Sequence, residues 1–220
     1  MSNITTLRLG FSDAFIVRDK GTILVDTGIN VLPEKYLELF AQLDVKPDEI
    51  GLIVISHGHA DHYGNAHVLK KLTGAPILCH KCAVNALRTG CEGEITPRNE
   101  LGESVFKLIK NNLPKAAKTV EPDIVIDETF DLSPYGVKGK IIHTPGHSDC
   151  SISVILESGQ AIVGDIMVRS PFTAKPCLAY FACDEEALLL SVSKLLKEAH
   201  TFYGGHGGPF TKDEISRCRG

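Results

Sequence analysis

The segment ISHGHADHYG, residues 55–64, most constrains how this chain can fold and what it can bind. Four side chains able to bind a metal lie within six positions of one another: His57, His59, Asp61 and His62. They follow the apolar run IGLIVIS at 50–56, which is typical of a buried strand. His57 and His59 are two residues apart, so in extended backbone both rings can reach one ion. Because unpaired polar groups are costly beside a buried strand, a metal site is favoured over a solvated turn.

Strand-like and helix-like segments alternate along the rest of the chain. Strands are predicted at 21–28, 50–56, 75–80, 123–132, 139–144, 151–158, 160–165 and 201–205. Amphipathic helices are predicted from Pro33, from His62 to Thr73, and after Asp184 as N-cap. Thr211 and Glu214 form a plausible capping box for a short C-terminal helix. Sheets bracketed by helices in both halves of the chain predict a layered α/β fold.

Three more candidate ligands follow strand-like runs and have glycine neighbours. His147 lies in TPGHS, Asp165 in VGD and His206 in GGHG. Chemistry in layered α/β folds concentrates at the carboxyl ends of strands, and glycine lets the backbone turn sharply there. Seven potential ligands exceed the four that one tetrahedral zinc ion uses. Two ions that share a bridging carboxylate would use them all.

The ordered motifs SHGHADH, TPGHS, VGD and GGHG, with LVDTG upstream, resemble those of the metallo-β-lactamase superfamily over about residues 5–210. The resemblance implies an αββα sandwich with the metal site at one edge of the two sheets. It also implies that Asp26 supports the site from behind the ligands. By the same resemblance, the first metal is bound by His57, His59 and His147, the second by Asp61, His62 and His206, and Asp165 bridges them.

The resemblance also implies the chemistry. Two divalent ions are expected, with zinc as the first choice and iron or manganese as alternatives. Such ions bring the pKa of bound water to about 7 and polarise a carbonyl group. Asp61 is the expected catalytic residue, since it can orient the hydroxide and pass on its proton. The predicted function is hydrolysis of a small ester, thioester or lactone by a glyoxalase II-like or lactonase-like enzyme.

Departures from individual subfamilies narrow this prediction. The β-lactamases of this fold generally lack the bridging carboxylate that Asp165 supplies. Flavodi-iron oxygen reductases have glutamate where this chain has His59. Glyoxalase II-type enzymes carry a C-terminal glutathione-binding domain, whereas this sequence stops about ten residues after its last motif. Three alternatives stay open: a mononuclear iron sulfur (persulfide) dioxygenase, a phosphodiesterase-type hydrolase, and a non-catalytic ligand-binding protein.

Residues 82–120 differ from the rest of the chain. They lack strong strand signals and contain glycine and proline breaks. One amphipathic helix is predicted at 103–112, with Val105, Leu108 and Ile109 on its apolar face. By the layout of the family, an insertion at this place lies beside the metal edge. We therefore expect one domain over 1–220 with a lid-like insertion at about 82–120 that roofs the metals.

Composition excludes several kinds of partner. The net charge of −4 gives no basic footprint for nucleic acid, and no run of about 18 apolar residues could span a membrane. The N-terminus lacks a signal-peptide pattern, so we expect a cytoplasmic protein whose seven cysteines are reduced thiols. The expected partner is a small-molecule substrate, with no nucleic acid and no membrane, and a homodimer stays open.

Six further side chains could contribute to function: Tyr180, Tyr203, Arg169, Lys175, Cys79 and Cys82. Lactonases of this fold often place a tyrosine near the metals, but a core or rim position is favoured for both tyrosines. The two cations follow Asp165 and could bind a substrate anion, although solvated loop positions are favoured. The cysteine pair has no partner pair at zinc spacing, so plain packing is favoured there.

Overall fold

A computed structural model describes residues 2–113 and 116–219. The first sheet contains six strands in chain order: β1 (Asn3–Arg8), β2 (Asp13–Arg18), β3 (Thr22–Val25), β4 (Ile50–Val54), β5 (Ile77–His80) and β6 (Ile124–Ile126). Strands β1 to β3 pair antiparallel, and β3 to β6 pair parallel. Parallel pairing requires crossover connections, which the helices between these strands provide.

The second sheet is also six-stranded. In chain order its strands are β7 (Thr129–Asp131), β8 (Gly139–His143), β9 (Ile152–Leu156), β10 (Gln160–Ile162), β13 (Thr201–Gly204) and β14 (Gly207–Thr211). Their spatial order is β14-β13-β10-β9-β8-β7, and only the β10–β13 pairing is parallel. A separate two-stranded ribbon is formed by β11 (Met167–Arg169) and β12 (Pro176–Leu178).

Seven α-helices accompany these sheets in the described residues: α1 (Pro33–Gln42), α2 (Ala60–Tyr63), α3 (Ala66–Thr73), α4 (Val84–Thr89), α5 (Glu100–Ile109), α6 (Glu185–Glu198) and α7 (Lys212–Ser216). The predicted caps are confirmed: Asp184 accepts a hydrogen bond from the Ala187 N–H, and Thr211 with Glu214 forms a capping box. No helix among the described residues combines the length and apolarity needed to cross a bilayer.

Two-residue periodicity separates the layers of the fold. In β3, Ile23 and Val25 face the second sheet, while Leu24 faces the helical side together with Tyr36 and Phe40 of α1. On the opposite side of the molecule, the apolar stripe of α6 packs against the outer face of the second sheet. The order is therefore helix, sheet, sheet, helix, which confirms the predicted αββα sandwich.

Two predicted helices differ from those observed. The predicted helix from His62 to Thr73 is interrupted, because Asn65 leaves the helical conformation and its side-chain amide bonds to both main-chain groups of Val31. The helix predicted at 103–112 instead runs from Glu100 to Ile109, because the Asn99 side chain caps its first turn. Strands β1, β2, β11, β12 and β14 and helix α4 were not predicted. The run predicted as one strand at 123–132 forms β6 and β7, which belong to different sheets.

The predicted metal-binding motifs lie where strands of both sheets end. Strand β4 leads into the 57–62 motif, β8 leads to His147, β10 to Asp165 and β13 to His206. Asp26 directly follows β3, and its N–H bonds to the Val54 carbonyl at the end of β4. The sandwich therefore brings segments that are distant in sequence to one edge.

Candidate metal centre

The first group of donors is a triangle of three imidazole nitrogens. Nε2 of His57 lies 3.1 Å from Nδ1 of His59, and Nε2 of His147 lies 3.2 and 3.1 Å from these two atoms. Zinc–nitrogen bonds of about 2.0–2.1 Å in a tetrahedral site place ligand nitrogens about 3.3 Å apart. The spacing of the three nitrogens therefore fits a single tetrahedral ion.

Burial keeps these three imidazoles neutral. His57 and His147 are buried, and desolvation is the main cause that lowers the pKa of each. Desolvation, with the neighbouring His147 ring, lowers the pKa of His59 to about 3. A metal ion needs neutral imidazole as its ligand, so the protein holds this triangle in the form that binds metal.

The second group of donors is formed by Asp61, His62 and His206. Nε2 of His206 lies 3.3 Å from Oδ2 of Asp61, and Nε2 of His62 lies 3.4 Å from the same oxygen. Imidazole nitrogen mixed with carboxylate oxygen suits zinc, and imidazole also suits iron. These three residues therefore have the chemistry and spacing to hold a second ion.

Asp165 lies between the two groups. Its Oδ1 is 3.3 Å from His62 Nε2, while its Oδ2 is 3.2 Å from His206 Nε2 and 3.8 Å from His147 Nε2. Buried polar atoms usually have hydrogen-bond partners. Three atoms that face this centre have none: Asp61 Oδ2, His62 Nε2 and Asp165 Oδ1. Atoms that lack a hydrogen-bond partner are available to bind cations, so these three atoms fit a metal site.

The electrostatics of the second group also favour bound positive charge. Burial by itself would raise the pKa of Asp61, but His62 and His206 hold it well below its usual range. Burial would likewise lower the pKa of His206, but the carboxylates of Asp165 and Asp61 raise it to about 10. The carboxylates are therefore ionised and attract cations, whether these are protons or metal ions.

Hydrogen bonds from behind fix which ring nitrogen faces the centre. Asp26, which is fully buried, accepts a 2.8 Å hydrogen bond from Nδ1 of His62 and a 2.7 Å bond from the Ser56 hydroxyl. The Ser56 oxygen lies 3.0 Å from Nδ1 of His57 and can accept its proton. This chain of bonds leaves the Nε2 lone pair of each histidine free for a ligand bond.

Main-chain carbonyls perform the same task for the remaining two Nε2 ligands. Nδ1 of His147 donates to the Phe181 carbonyl, and Nδ1 of His206 donates to the Phe11 carbonyl, both at 3.0 Å. The sequence prediction included Asp26 but missed Ser56 and these carbonyls. Gly205 was also missed: a Cβ at this position would overlap His62 and Asp165, so only glycine lets the chain pass so close.

An apolar cavity of about 210 Å³ opens onto the centre. Its lining includes the candidate ligands His147, Asp165 and His206, and α5 contributes Val105 and Ile109. The charged side chain of Arg169 also lines it, and apolar and aromatic side chains from elsewhere complete it: Phe11, Val168, Pro171, Tyr180 and Phe181. The expectation that Leu108 faces the site is wrong, because Leu108 is 61% exposed and does not line this cavity.

A second, polar cavity of about 520 Å³ lies on another side of the first donor group. His59 and His147 form part of its wall, so His147 borders both cavities. Among its other lining residues are Asn85, Glu92 and Asp149. The candidate metal centre is therefore accessible from an apolar side and from a polar side.

The other candidate side chains are divided between the cavities and the core. Tyr180 and Arg169 line the apolar cavity, whereas the ring of Tyr203 packs against Phe15 between the sheets. The Lys175 side chain is exposed and belongs to the lining of neither cavity. Cys79 is part of the core, Cys82 lines the polar cavity, and all seven cysteines are free thiols.

The αββα sandwich and its two adjacent groups of metal-binding side chains define the class of protein: a layered α/β fold with a candidate metal centre at one edge. The family model described as "Metallo-beta-lactamase superfamily" matches residues 7–206, and this chain belongs to that superfamily.

Relatives agree with this assignment. The chain is 46% identical over 197 residues to "Metallo-beta-lactamase domain-containing protein 1" of Rattus norvegicus, covering 87% of this chain and 63% of the relative. It is 30% identical over 154 residues to a "Probable metallo-hydrolase" of Methanocaldococcus jannaschii, covering 70% and 66%. It is also 27% identical to "Glyoxylase B2" of Dictyostelium discoideum, covering 68% and 46%. The chain thus covers between 46% and 66% of the length of these three relatives, which is less than two thirds of each.

Solved structures show the same fold. A B3 metallo-β-lactamase, BLEG-1, superimposes with a TM-score of 0.73 at 17% identity, covering 96% of this chain and 95% of that one. A protein crystallised in a di-iron-bound form superimposes with a TM-score of 0.68 at 24% identity, covering 98% of both chains. At these identities the similarity shows the fold alone.

Proposed function

We propose that this protein uses two divalent metal ions to hydrolyse a small ester, thioester or lactone whose acyl portion is apolar. The observation that carries the proposal is the position of the apolar cavity, which opens directly onto His147, Asp165 and His206. Ligand sites are mostly apolar with a few placed polar groups, and this cavity has that composition. The similarity to a protein named "Glyoxylase B2" agrees with a glyoxalase II-like reaction.

The residues of the centre suit this reaction. When bound, divalent ions lower the pKa of water and polarise a carbonyl group. The Asp61 carboxylate is buried and has no hydrogen-bond partner for Oδ2, so it can orient a water molecule and accept its proton. His206, 29% exposed at its side chain, lies beside Asp61 towards the cavity. The Asp165 carboxylate lies between the two donor groups, with Oδ1 near His62 and Oδ2 near His147 and His206, so it could supply a ligand to each group.

The two cavities suggest how the substrate lies. His147 borders both, so a scissile bond at the centre can place its two sides in different surroundings. The apolar cavity suits the acyl portion, whereas Glu92 and Asp149 on the other side suit a polar leaving group. A volume of about 210 Å³ restricts the acyl portion to a small group.

The direct test is a hydrolysis screen on metal-analysed protein. We expect two ions per chain and turnover of small aryl esters, thioesters or lactones that a chelator abolishes and added Zn²⁺, Fe²⁺ or Mn²⁺ restores. His57→Ala, prepared in parallel, controls for contaminating esterases, because it removes one ligand of the first group. If the protein hydrolyses phosphodiesters and none of the carbonyl compounds, the proposed substrate class is wrong and the phosphodiesterase alternative holds. One bound iron with oxygen uptake on a persulfide would establish the dioxygenase alternative.

Substrate selectivity is expected to depend on α5. Val105→Ala and Ile109→Ala enlarge the apolar cavity, and a methylene in such a pocket changes selectivity about 10-fold or more. Each variant should therefore shift the ratio of kcat/KM for long over short acyl esters about 10-fold towards the long ester. Leu108→Ala on the exposed side of the same helix is the control and should leave the ratio unchanged. If the ratio of kcat/KM for long over short esters is the same in all three variants as in the wild type, α5 does not contribute to substrate selectivity.

A further inference from the structure

The segment 179–182 lies between the beginning of α5 and the first donor group. On one side, the Arg98 N–H donates to the Tyr180 carbonyl and the Ala182 N–H donates to the Thr96 carbonyl, both at 3.0 Å. These bonds flank an isolated antiparallel bridge between Pro97 and Phe181. The chain that leads into α5 is therefore fixed to this segment by main-chain hydrogen bonds.

The opposite side of the same segment holds a metal-site histidine. In extended backbone, successive carbonyls point in opposite directions, so the Phe181 carbonyl points away from α5 when that of Tyr180 points towards it. The Phe181 carbonyl accepts the hydrogen bond from Nδ1 of His147. Its aromatic ring also lines the apolar cavity and contacts the Phe106 ring of α5 at 6.2 Å between centroids.

Gly102 sets how closely α5 approaches this segment. A Cβ at position 102 would overlap the Tyr180 carbonyl oxygen, and a main-chain atom cannot give way as a flexible side chain can. Gly102 is buried inside a regular helix, where alanine is ordinarily the better residue. The close approach to Tyr180 is therefore the physical reason for glycine here.

The Arg98 side chain also contacts this segment, and it forms an ion pair with α6. Its Nη1 donates to the Ala179 carbonyl at 2.9 Å, and its Nε lies 2.5 Å from Oε2 of Glu185 at the start of α6. The Arg98 side chain is 18% exposed and that of Glu185 is 50% exposed, so solvent screens this ion pair in part. Segment 179–182 thus contacts the start of α5 on one side and the His147 imidazole on the other.

We propose that Gly102 and Arg98 are positioning residues for the metal centre, which hold the Phe181 carbonyl where it orients His147. Residues that orient a metal-binding histidine typically change metal affinity about 10–100-fold when mutated. Helix α5, which lines the apolar cavity, then influences the first donor group through Phe181. The inference requires the metal site alone and is independent of the substrate proposed above.

The test compares three variants of the full chain: Gly102→Ala, Arg98→Ala and Leu108→Ala. Zn²⁺ affinity is measured by competition with a chromogenic chelator, and the absorption spectrum of the Co²⁺-loaded protein reports ligand geometry. We expect Gly102→Ala and Arg98→Ala each to lower the affinity for one of the two ions about 10-fold, which is the lower end of the range for residues that orient a ligand. Both variants should also alter the Co²⁺ spectrum. Leu108→Ala should match the wild type, because its side chain faces solvent.

Each outcome decides the proposal. Unchanged Zn²⁺ affinity and an unchanged Co²⁺ spectrum in both positioning variants overturn it. Equal weakening in Leu108→Ala also overturns it, because the effect would then reflect general loss of helix stability. If Gly102→Ala fails to fold, Arg98→Ala decides alone, since it creates no overlap. Esterase inactivity of the wild type would count against the proposed function and leave this comparison intact.

Discussion

Asp61→Asn should lower kcat of the metal-replete protein by about 10²–10⁴-fold, the contribution of a general base. The variant keeps the shape of the side chain but removes its charge and replaces one acceptor oxygen with a donor. Oδ2 of Asp61 is a buried atom without a hydrogen-bond partner, and it lies 3.3 Å from His206 Nε2. An amide at this position neither accepts a proton from water nor offsets the positive charge of the site.

Turnover and metal content must be measured together. Asp61 also belongs to the second donor group, so kcat should be determined at saturating metal, with the number of bound ions verified by elemental analysis. Asp123→Asn is a control, because Asp123 is exposed, forms an ion pair with Lys70, and lies before the start of β6, at the end of the sheet opposite to the motifs. Near-normal kcat for Asp61→Asn with two ions bound would show that its carboxylate takes no part in the chemistry.

The positions of the candidate ligands could be predicted because each follows a strand-like run. Apolar runs in the sequence indicate where strands end, and the topology brings those ends to one edge. His57, His147 and His206 are separated by up to 149 positions but share one site in the fold. The roles of the ligands in binding metal and in catalysis stay predictions that the experiments above address.

The hydrogen-bond acceptors behind the ligands could not be predicted in the same way. The carbonyls of Phe181 and Phe11 are main-chain atoms, which every residue has, so side-chain identity carries no signal for them. Ser56 could have been suspected, because a polar residue ends the apolar run just before His57. Its use depends on the distance to Asp26, and only the pairing of β3 with β4 determines that distance.

Periodicity alone also gave the wrong orientation for part of α5. Val105, Leu108 and Ile109 fit one apolar stripe, yet Val105 is buried and Leu108 is exposed. The close approach at Gly102 turns the first half of the helix towards Tyr180, and this contact involves a residue without a side chain. A hydrophobic pattern cannot register such a contact, because glycine contributes nothing to the stripe.

Asp26→Asn is expected to weaken the binding of both ions while the fold is retained. Asp26 has φ of 60°, a region that asparagine tolerates well, so the backbone should accept the change. Its Oδ1 accepts the Ser56 N–H at 2.7 Å, and this bond forces the asparagine oxygen to take that position. The new NH₂ group then faces the Ser56 hydroxyl and Nδ1 of His62, where a carboxylate oxygen accepted both hydrogen bonds.

The consequence is a change of tautomer at two histidines. Facing a donor, Nδ1 of His62 must become an acceptor, which moves the ring proton to Nε2, the atom that faces the metal centre. The Ser56 hydroxyl loses Asp26 as its acceptor and donates instead to Nδ1 of His57, 3.0 Å away, with the same effect on that ring. A protonated Nε2 cannot bind metal, so each donor group should lose about 10–100-fold in affinity.

The measurement is Zn²⁺ binding by competition titration, together with thermal unfolding of the metal-free protein. The free energy of unfolding should fall by about 1.5–3 kcal/mol, the range for a hydrogen bond to a charged group, so the metal-free variant stays folded. Asp44→Asn is the matched control, because Asp44 is an exposed aspartate that also has positive φ, 51°. Unchanged affinity for both ions in Asp26→Asn would show that the Asp26 carboxylate does not select the tautomers of His57 and His62. Weakening at the second group alone would limit its influence to His62 and exclude Ser56 as a relay to the first group.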